Sequence, residues 1–172
     1  IVRVADGERI GGGMGGLTYN APVVQDGVAY YIQHKARAFR LPAEPADKVE
    51  PAAVWPEPVT LKKDRYYASP VMNGGMVYGI TQKGLLSAID AESGKLVFTQ
   101  ELKLPKTTYP SLTVAGGYVY ASGDRGKTVV FKPGREFETV AENELEAFRS
   151  CPVFVGKRMY VRTYKHLYCI GE

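Results

Sequence analysis

Apolar residues in this chain come in short runs that alternate with polar ones, and glycine and proline break the runs at near-regular intervals. One arrangement recurs four times. It consists of a small residue, a few apolar residues, a glycine-bearing turn, and a second apolar run that ends in tyrosine. The copies open on Ala21, Ser69, Ser111 and Cys151 and close nine residues later on Tyr30, Tyr78, Tyr120 and Tyr160, so their starts lie 48, 42 and 40 residues apart. A spacing of this size fits one four-stranded unit per copy. Asp26-Gly27, Asn73-Gly74 and Gly116-Gly117 supply the positive φ values that a two-residue hairpin needs, and Gly156-Lys157 takes the glycine-first form.

The pattern continues past each tyrosine. After a polar turn, third strands are expected near 36–41, 85–90, 128–132 and 166–170, and fourth strands near 58–61, 97–102 and 139–145. Residues 42–58, rich in proline and glutamate, read as a surface excursion between two strands of the first copy. A sheet of this kind is apolar on both faces and cannot bury them alone, so each copy must stack against its neighbours. The expected fold is all-β: a β-propeller of four repeats, each a four-stranded antiparallel blade, forming part of a larger ring of about seven or eight blades. The repeats run over about 19–66, 67–108, 109–148 and 149–172. Residues 1–10, turning at Asp6-Gly7, read as the end of a preceding blade, and a glycine-rich linker follows to 18. That N-terminal stretch would either supply the strand missing from the fourth repeat or belong to a blade outside this chain.

Composition narrows the class without naming a function. Hydrophobic residues at 45% and charged residues at 23% are the balance of a folded globular chain, not of a disordered one. No apolar run approaches the roughly 20 residues of a membrane-spanning helix. The N-terminus has neither an initiating Met nor a signal-like apolar stretch, as in a mature or trimmed product. A net charge of +4 does not point to nucleic acid. The two cysteines, Cys151 and Cys169, fall at small-residue slots on the first and third strands of one sheet, so their backbones would be roughly 9.6 Å apart. A disulfide needs Cα atoms within about 7 Å, so two buried free thiols are expected.

One segment carries a specific resemblance. Ala88, Asp90, Gly94 and Lys95 match four of five marked positions of Ala-x-Asp-x-x-x-Gly-Lys-x-x-Trp, with Phe98 in place of the tryptophan. This resembles the docking motif of the PQQ-type (quinoprotein-like) β-propellers. The substitution implies a weaker stacking of blade on blade. The family has an enzymatic branch, the PQQ-dependent dehydrogenases, and a non-enzymatic branch that resembles the outer-membrane-assembly lipoproteins. The resemblance implies for the first branch a catalytic Asp, a calcium held by Glu and Asn, and an adjacent cysteine pair. This chain has no adjacent cysteines, and its single Trp, Trp55, lies in the 42–58 excursion. No catalytic, cofactor or metal residue is therefore assigned. The expectation is a non-enzymatic binding or scaffold propeller in an extracytoplasmic (periplasmic or membrane-associated) bacterial setting. Its partner would be a protein or an anionic ligand, and a second copy or a missing half would complete the ring. The alternative is a fragment of a PQQ-dependent dehydrogenase, for which PQQ and calcium would be the cofactors.

The candidate ligand-facing residues are the cations at the turn between second and third strands of every repeat: His34, Lys35, Arg37, Lys83, Arg125, Lys127, Lys165 and His166. Equivalent turns of a propeller lie on one face, where clustered cations attract anions. Two other motifs have plainer explanations. Residues 121–128 satisfy a loose phosphate-loop pattern, and 11–16 contain GxGxxG, but each leads into β-forming residues where the chemistry requires a helix N-terminus. They read as a hairpin turn and a linker. The recurring tyrosines read as packing between blades, with hydroxyls reaching an edge.

Overall fold

The computed structural model describes residues 1–44 and 46–171; Pro45 of the excursion and Glu172 at the end of the fourth repeat lie outside the described residues. The described chain has strands and no helix. The strands are β1 (Val23–Gln25), β2 (Val28–Tyr31), β3 (Lys35–Arg40), β4 (Ala52–Ala53), β5 (Val59–Thr60), β6 (Val71–Asn73), β7 (Met76–Ile80), β8 (Leu85–Asp90), β9 (Leu96–Glu101), β10 (Thr113–Ala115), β11 (Tyr118–Ser122), β12 (Lys127–Lys132), β13 (Glu138–Glu144), β14 (Val153–Val155), β15 (Arg158–Arg162) and β16 (Leu167–Gly171). They form four separate antiparallel sheets in sequence order: β1–β2–β3 with β4 and β5 both on β3, then β6–β7–β8–β9, β10–β11–β12–β13, and β14–β15–β16. This is the expected propeller architecture as an arc of four blades.

The hairpins form where the sequence placed them, with one shift. The second turn is Gly74-Gly75, with φ of 60° and 73°, and Asn73 ends β6 instead of opening the turn. That puts all four turns at the same offset from the small residue. Asp26 (φ 50°) and Gly27 (71°) match Gly116 (57°) and Gly117 (81°), and Gly156 (57°) alone is left-handed in the fourth.

Two apolar clusters hold the blades together. Between the first and second blades lie Val28, Tyr30, Ile32, Ala36, Ala38, Trp55, Leu61, Val77 and Ile89. Between the second and third lie Met76, Tyr78, Ile80, Leu86, Ala88, Val119, Ala121, Val129 and Phe131. Alternate residues of β7 and β8 thus enter opposite clusters, and all of Met76–Ile80 is buried. The second blade is covered on both sides.

The fourth blade is covered on one side only. Tyr160, Cys169, Val153, Val155, Arg158, Arg162 and Leu167 share one face by strand register, and Val153, Val155 and Leu167 there are exposed. Both cysteines are free, and both are exposed. The expectation of burial was wrong for a physical reason. Cys169 occupies the slot that Ala38 and Ala88 fill, but among the described residues no sheet lies over it. Residues 1–11 make their own bridge, Val2 to Arg9, and a parallel bridge from Gly11 to Val49 beside the first blade. The first blade's outer face is thereby partly capped: Met14 is buried and accepts the Tyr31 hydroxyl at 3.6 Å.

The 42–58 excursion also differs from expectation. Its second half re-enters the sheet. β4 pairs with Phe39 and Arg40, β5 pairs with Lys35 and Ala36, and Trp55 between them is 3% exposed. The outer strand of this blade is split in two, with the tryptophan inserted at the break.

Candidate interaction face

Small residues open each inner strand because that position links one blade to the next. The Ala21 N–H donates to Ser69 Oγ at 3.1 Å, the Ser69 N–H to Ser111 Oγ at 3.0 Å, and the Ser111 N–H to Cys151 Sγ at 3.3 Å. The side chain must be short to reach the neighbouring backbone and must carry a lone pair. Serine and cysteine meet both conditions.

Two residues before each small residue, a second ladder crosses the blades. Tyr19 packs on Tyr67 and Tyr67 on Tyr109, both at 4.8 Å between ring centroids, and the Arg149 guanidinium lies 4.2 Å from the Tyr109 ring centre. A guanidinium over a tyrosine face is an attractive cation–π arrangement. Arg149 also reaches Asp124 at 3.6 Å. Sequence reasoning missed this ladder, although its signal was present in the equal offset from Ala21, Ser69, Ser111 and Cys151.

The turns that carry the candidate cations sit against the segments leading into the repeats. The Gln82 N–H donates to Arg65 O (2.7 Å), Asp124 N–H to Thr107 O (2.9 Å) and Tyr164 N–H to Ala147 O (3.3 Å). Asp124 Oδ1 accepts the Thr107 N–H in return. The turns and the tyrosine ladder therefore occupy the same face.

The eight cations are not equivalent there. Lys127 is neutralised by Glu142 at 2.9 Å, and His166 Nδ1 lies 3.0 Å from Glu146 Oε1. His166, followed by the Thr163 hydroxyl, holds the Glu146 carboxyl below the ordinary carboxylate range. His34 Nδ1 lies 2.7 Å from Leu61 O; a carbonyl only accepts, so Nδ1 carries the proton. Lys35 donates to Thr60 Oγ1 at 2.7 Å, and exposed Arg37 lies beside the linker at Gly15. Lys83, Arg125 and Lys165 are exposed and have no carboxylate partner among the described residues. These three stand exposed with Lys35 and Arg37, while Arg149 shares its charge with Asp124.

The same spacing rules expose a docking joint on the outer side of the blades. Register places Phe39 opposite Ala53, Ile89 opposite Leu96, and Phe131 opposite Thr139. Two residues further on, Trp55, Phe98 and Ala141 are therefore equivalent. Trp55 holds in the first repeat the position of the motif tryptophan. Its indole N–H donates to Ala91 O at 2.9 Å, and it lies against Gly94 so closely that a Cβ there would be 2.7 Å from its ring. The Asp90-to-Gly94 turn of the second repeat thus receives the tryptophan of the first. Phe98 meets Phe137 of the third blade at 6.2 Å instead. The Tyr78 hydroxyl reaches the same blade, accepting the Gly134 N–H at 2.7 Å.

Among the described residues no group of three His, Cys, Asp or Glu side chains is placed to hold a metal ion.

Four stacked antiparallel sheets, an inner-strand ladder and a tryptophan seated on the neighbouring glycine turn define an arc of a β-propeller. Residues 51–131 match the family model described as outer membrane protein assembly factor BamB, and over that stretch the chain carries PQQ-type propeller repeats. The crystal structure of BamB from Moraxella catarrhalis is similar at a TM-score of 0.59 and 17% identity, covering 87% of this chain and 44% of that one. A europium-containing methanol dehydrogenase gives 0.58 and 17%, covering 78% of this chain and 26% of that one. The computationally designed Ika4 protein gives 0.64 and 8%, covering 96% and 99%. At such identities these likenesses show the fold. The chain spans 44% of the length of the BamB structure. No curated protein matches the sequence.

Proposed function

We propose that this chain is an array of blades from a non-enzymatic scaffold propeller that offers its ladder face to a protein or another anionic partner. The observation that carries the reading is the run Tyr19–Tyr67–Tyr109–Arg149, stacked across four blades on the face where Lys83, Arg125 and Lys165 stand exposed. Tyrosine and arginine are, with tryptophan, the residues enriched among the anchors of protein interfaces; tyrosine brings a large contact area with few rotamers to freeze, and arginine a planar cation that stacks on aromatic faces. The unpaired cations around them would steer an acidic partner. The description of the matching family, an outer membrane protein assembly factor, supports both a protein partner and an extracytoplasmic address. No helix of the described residues is long and apolar enough to cross a membrane.

A glutamate-rich peptide titrated at low and moderate salt tests the reading. Binding should weaken as salt rises and should fall at least ten-fold in K83E/R125E/K165E. Salt-independent binding, or no effect of the triple charge reversal, would count against it. Addition of PQQ and calcium to the chain, followed by dye reduction, tests the dehydrogenase alternative. Turnover in that assay would overturn the scaffold reading.

A further inference from the structure

The joint between the third and fourth blades contains a cavity of about 270 Å³, lined by Tyr120, Thr128, Asn143, Leu145, Met159 and Val161 among others. The second joint shows why it is there. The register pairs Ile80 with Leu86, and one repeat later it pairs Ser122 with Thr128. Ile80 and Leu86 are wholly buried and fill the space between the second and third blades. Ser122 and Thr128 are shorter, and they hydrogen-bond to each other at 2.8 Å. The neighbouring position loses its aromatic ring as well, since Ala141 stands where Trp55 and Phe98 stand. Three replacements by smaller side chains thus fall at this one joint, and Thr128 among them lines the cavity.

We propose that this cavity is a binding site for an indole-class aromatic ring, which takes the volume that the chain's own side chains occupy at the other two joints. Its walls are chiefly apolar, through Leu145, Pro152, Met159, Val161 and Ile170. A cavity of about 150 Å³ already accepts benzene when its lining is apolar, so the volume here suits a bicyclic ring. Asn143 lines the cavity, and its side chain makes no hydrogen bond to another described residue, so its side-chain carbonyl is available to an indole N–H. The first joint uses the same chemistry, with the Trp55 N–H on a carbonyl. The ring comes either from a free small molecule or from a tryptophan of a partner chain. This site lies between the third and fourth blades, beside the Gly123–Gly126 turn of the ladder face, and stands whether or not that face binds an acidic partner.

Methyl-resolved NMR of the full 172-residue chain, titrated with indole, tests the proposal. Saturable shifts are expected at Leu145, Met159, Val161 and Ile170 and not at Val77 or Ile89 of the first joint. N-methylindole, which lacks the donor, should bind several-fold more weakly. S122I/T128L fills the space and should reduce indole binding at least ten-fold. Unchanged Val77 and Ile89 signals report that it has folded, and T128L alone should give a smaller loss in the same direction. Binding of N-acetyltryptophanamide as well as indole would assign the site to a partner's tryptophan. Binding of indole alone would assign it to a free ligand. Absence of saturable shifts at the third joint up to millimolar indole, or equal shifts in S122I/T128L, would overturn the proposal.

Discussion

The first and third joints of this arc use the same positions in opposite ways. At the first, Trp55 is inserted from a split outer strand, hydrogen-bonds to Ala91 and closes on Gly94. At the third, Ala141 stands in that position, Ser122 and Thr128 turn to each other, and a cavity remains. Burial of the recurring tyrosine follows the same gradient: Tyr30 and Tyr78 are buried, and Tyr120 and Tyr160 are half-buried. One repeat geometry therefore tolerates both a locked joint and an open one. The locked joint serves stability, and the open one leaves room for something else.

Removal of the lock should have the largest effect. Trp55→Ala takes out a buried ring and its hydrogen bond and is expected to cost about 3–5 kcal/mol in urea unfolding, whereas Ala141→Gly at the third joint should cost well under half of that. Comparable losses would erase the contrast. Tyr78→Phe keeps the ring between the second and third blades but strips the Gly134 N–H of its acceptor, for a loss of about 1–2 kcal/mol.

The next effect depends on acid. The Asp90 carboxyl lies well below the ordinary carboxylate range, first because the Ser93 N–H donates to it and then because the Arg135 guanidinium, 2.6 Å away, does so too. Its pKa is depressed in the folded chain, so its stabilising contribution is complete above the ordinary Asp range and is lost as pH falls through the depressed value. The Asp90→Asn variant should lose stability at neutral pH and show a flatter acid limb in thermal melts. An unchanged acid limb would place the linkage elsewhere. The smallest effect is expected for Cys151→Ser. Serine already fills that slot in two repeats, so stability should stay within about 0.5 kcal/mol, and thiol titration should fall from two reactive groups to one.

What was legible in the sequence was what is local. Hairpin glycines, the small residue nine positions before each tyrosine and the third-strand slots are set within a dozen or so residues, and all appear in register. The second turn lies one residue past the Asn73-Gly74 start because its place follows the repeat offset and not the local preference for an Asn-Gly pair. Trp55 was hidden because the excursion before it destroys the spacing by which the docking tryptophan is recognised; only the strand pairing of Ala53 with Phe39 restores the alignment. The exposure of Cys169 was not legible, because burial at a blade face depends on the neighbour and not on the slot. The tyrosine ladder was readable from a constant offset. Its stacking was not, because it joins residues forty or more positions apart.

A double-mutant cycle between Trp55 and Gly94 probes the radial stacking of blades most directly. A methyl group at Gly94 would strike the indole ring, and the backbone there is left-handed at φ 71°. Gly94→Ala should therefore be clearly destabilising in the native chain and less so when Trp55 is already alanine, with a coupling of about 1 kcal/mol or more. Strict additivity of the two changes would mean that the tryptophan of one blade does not rest on the turn of the next.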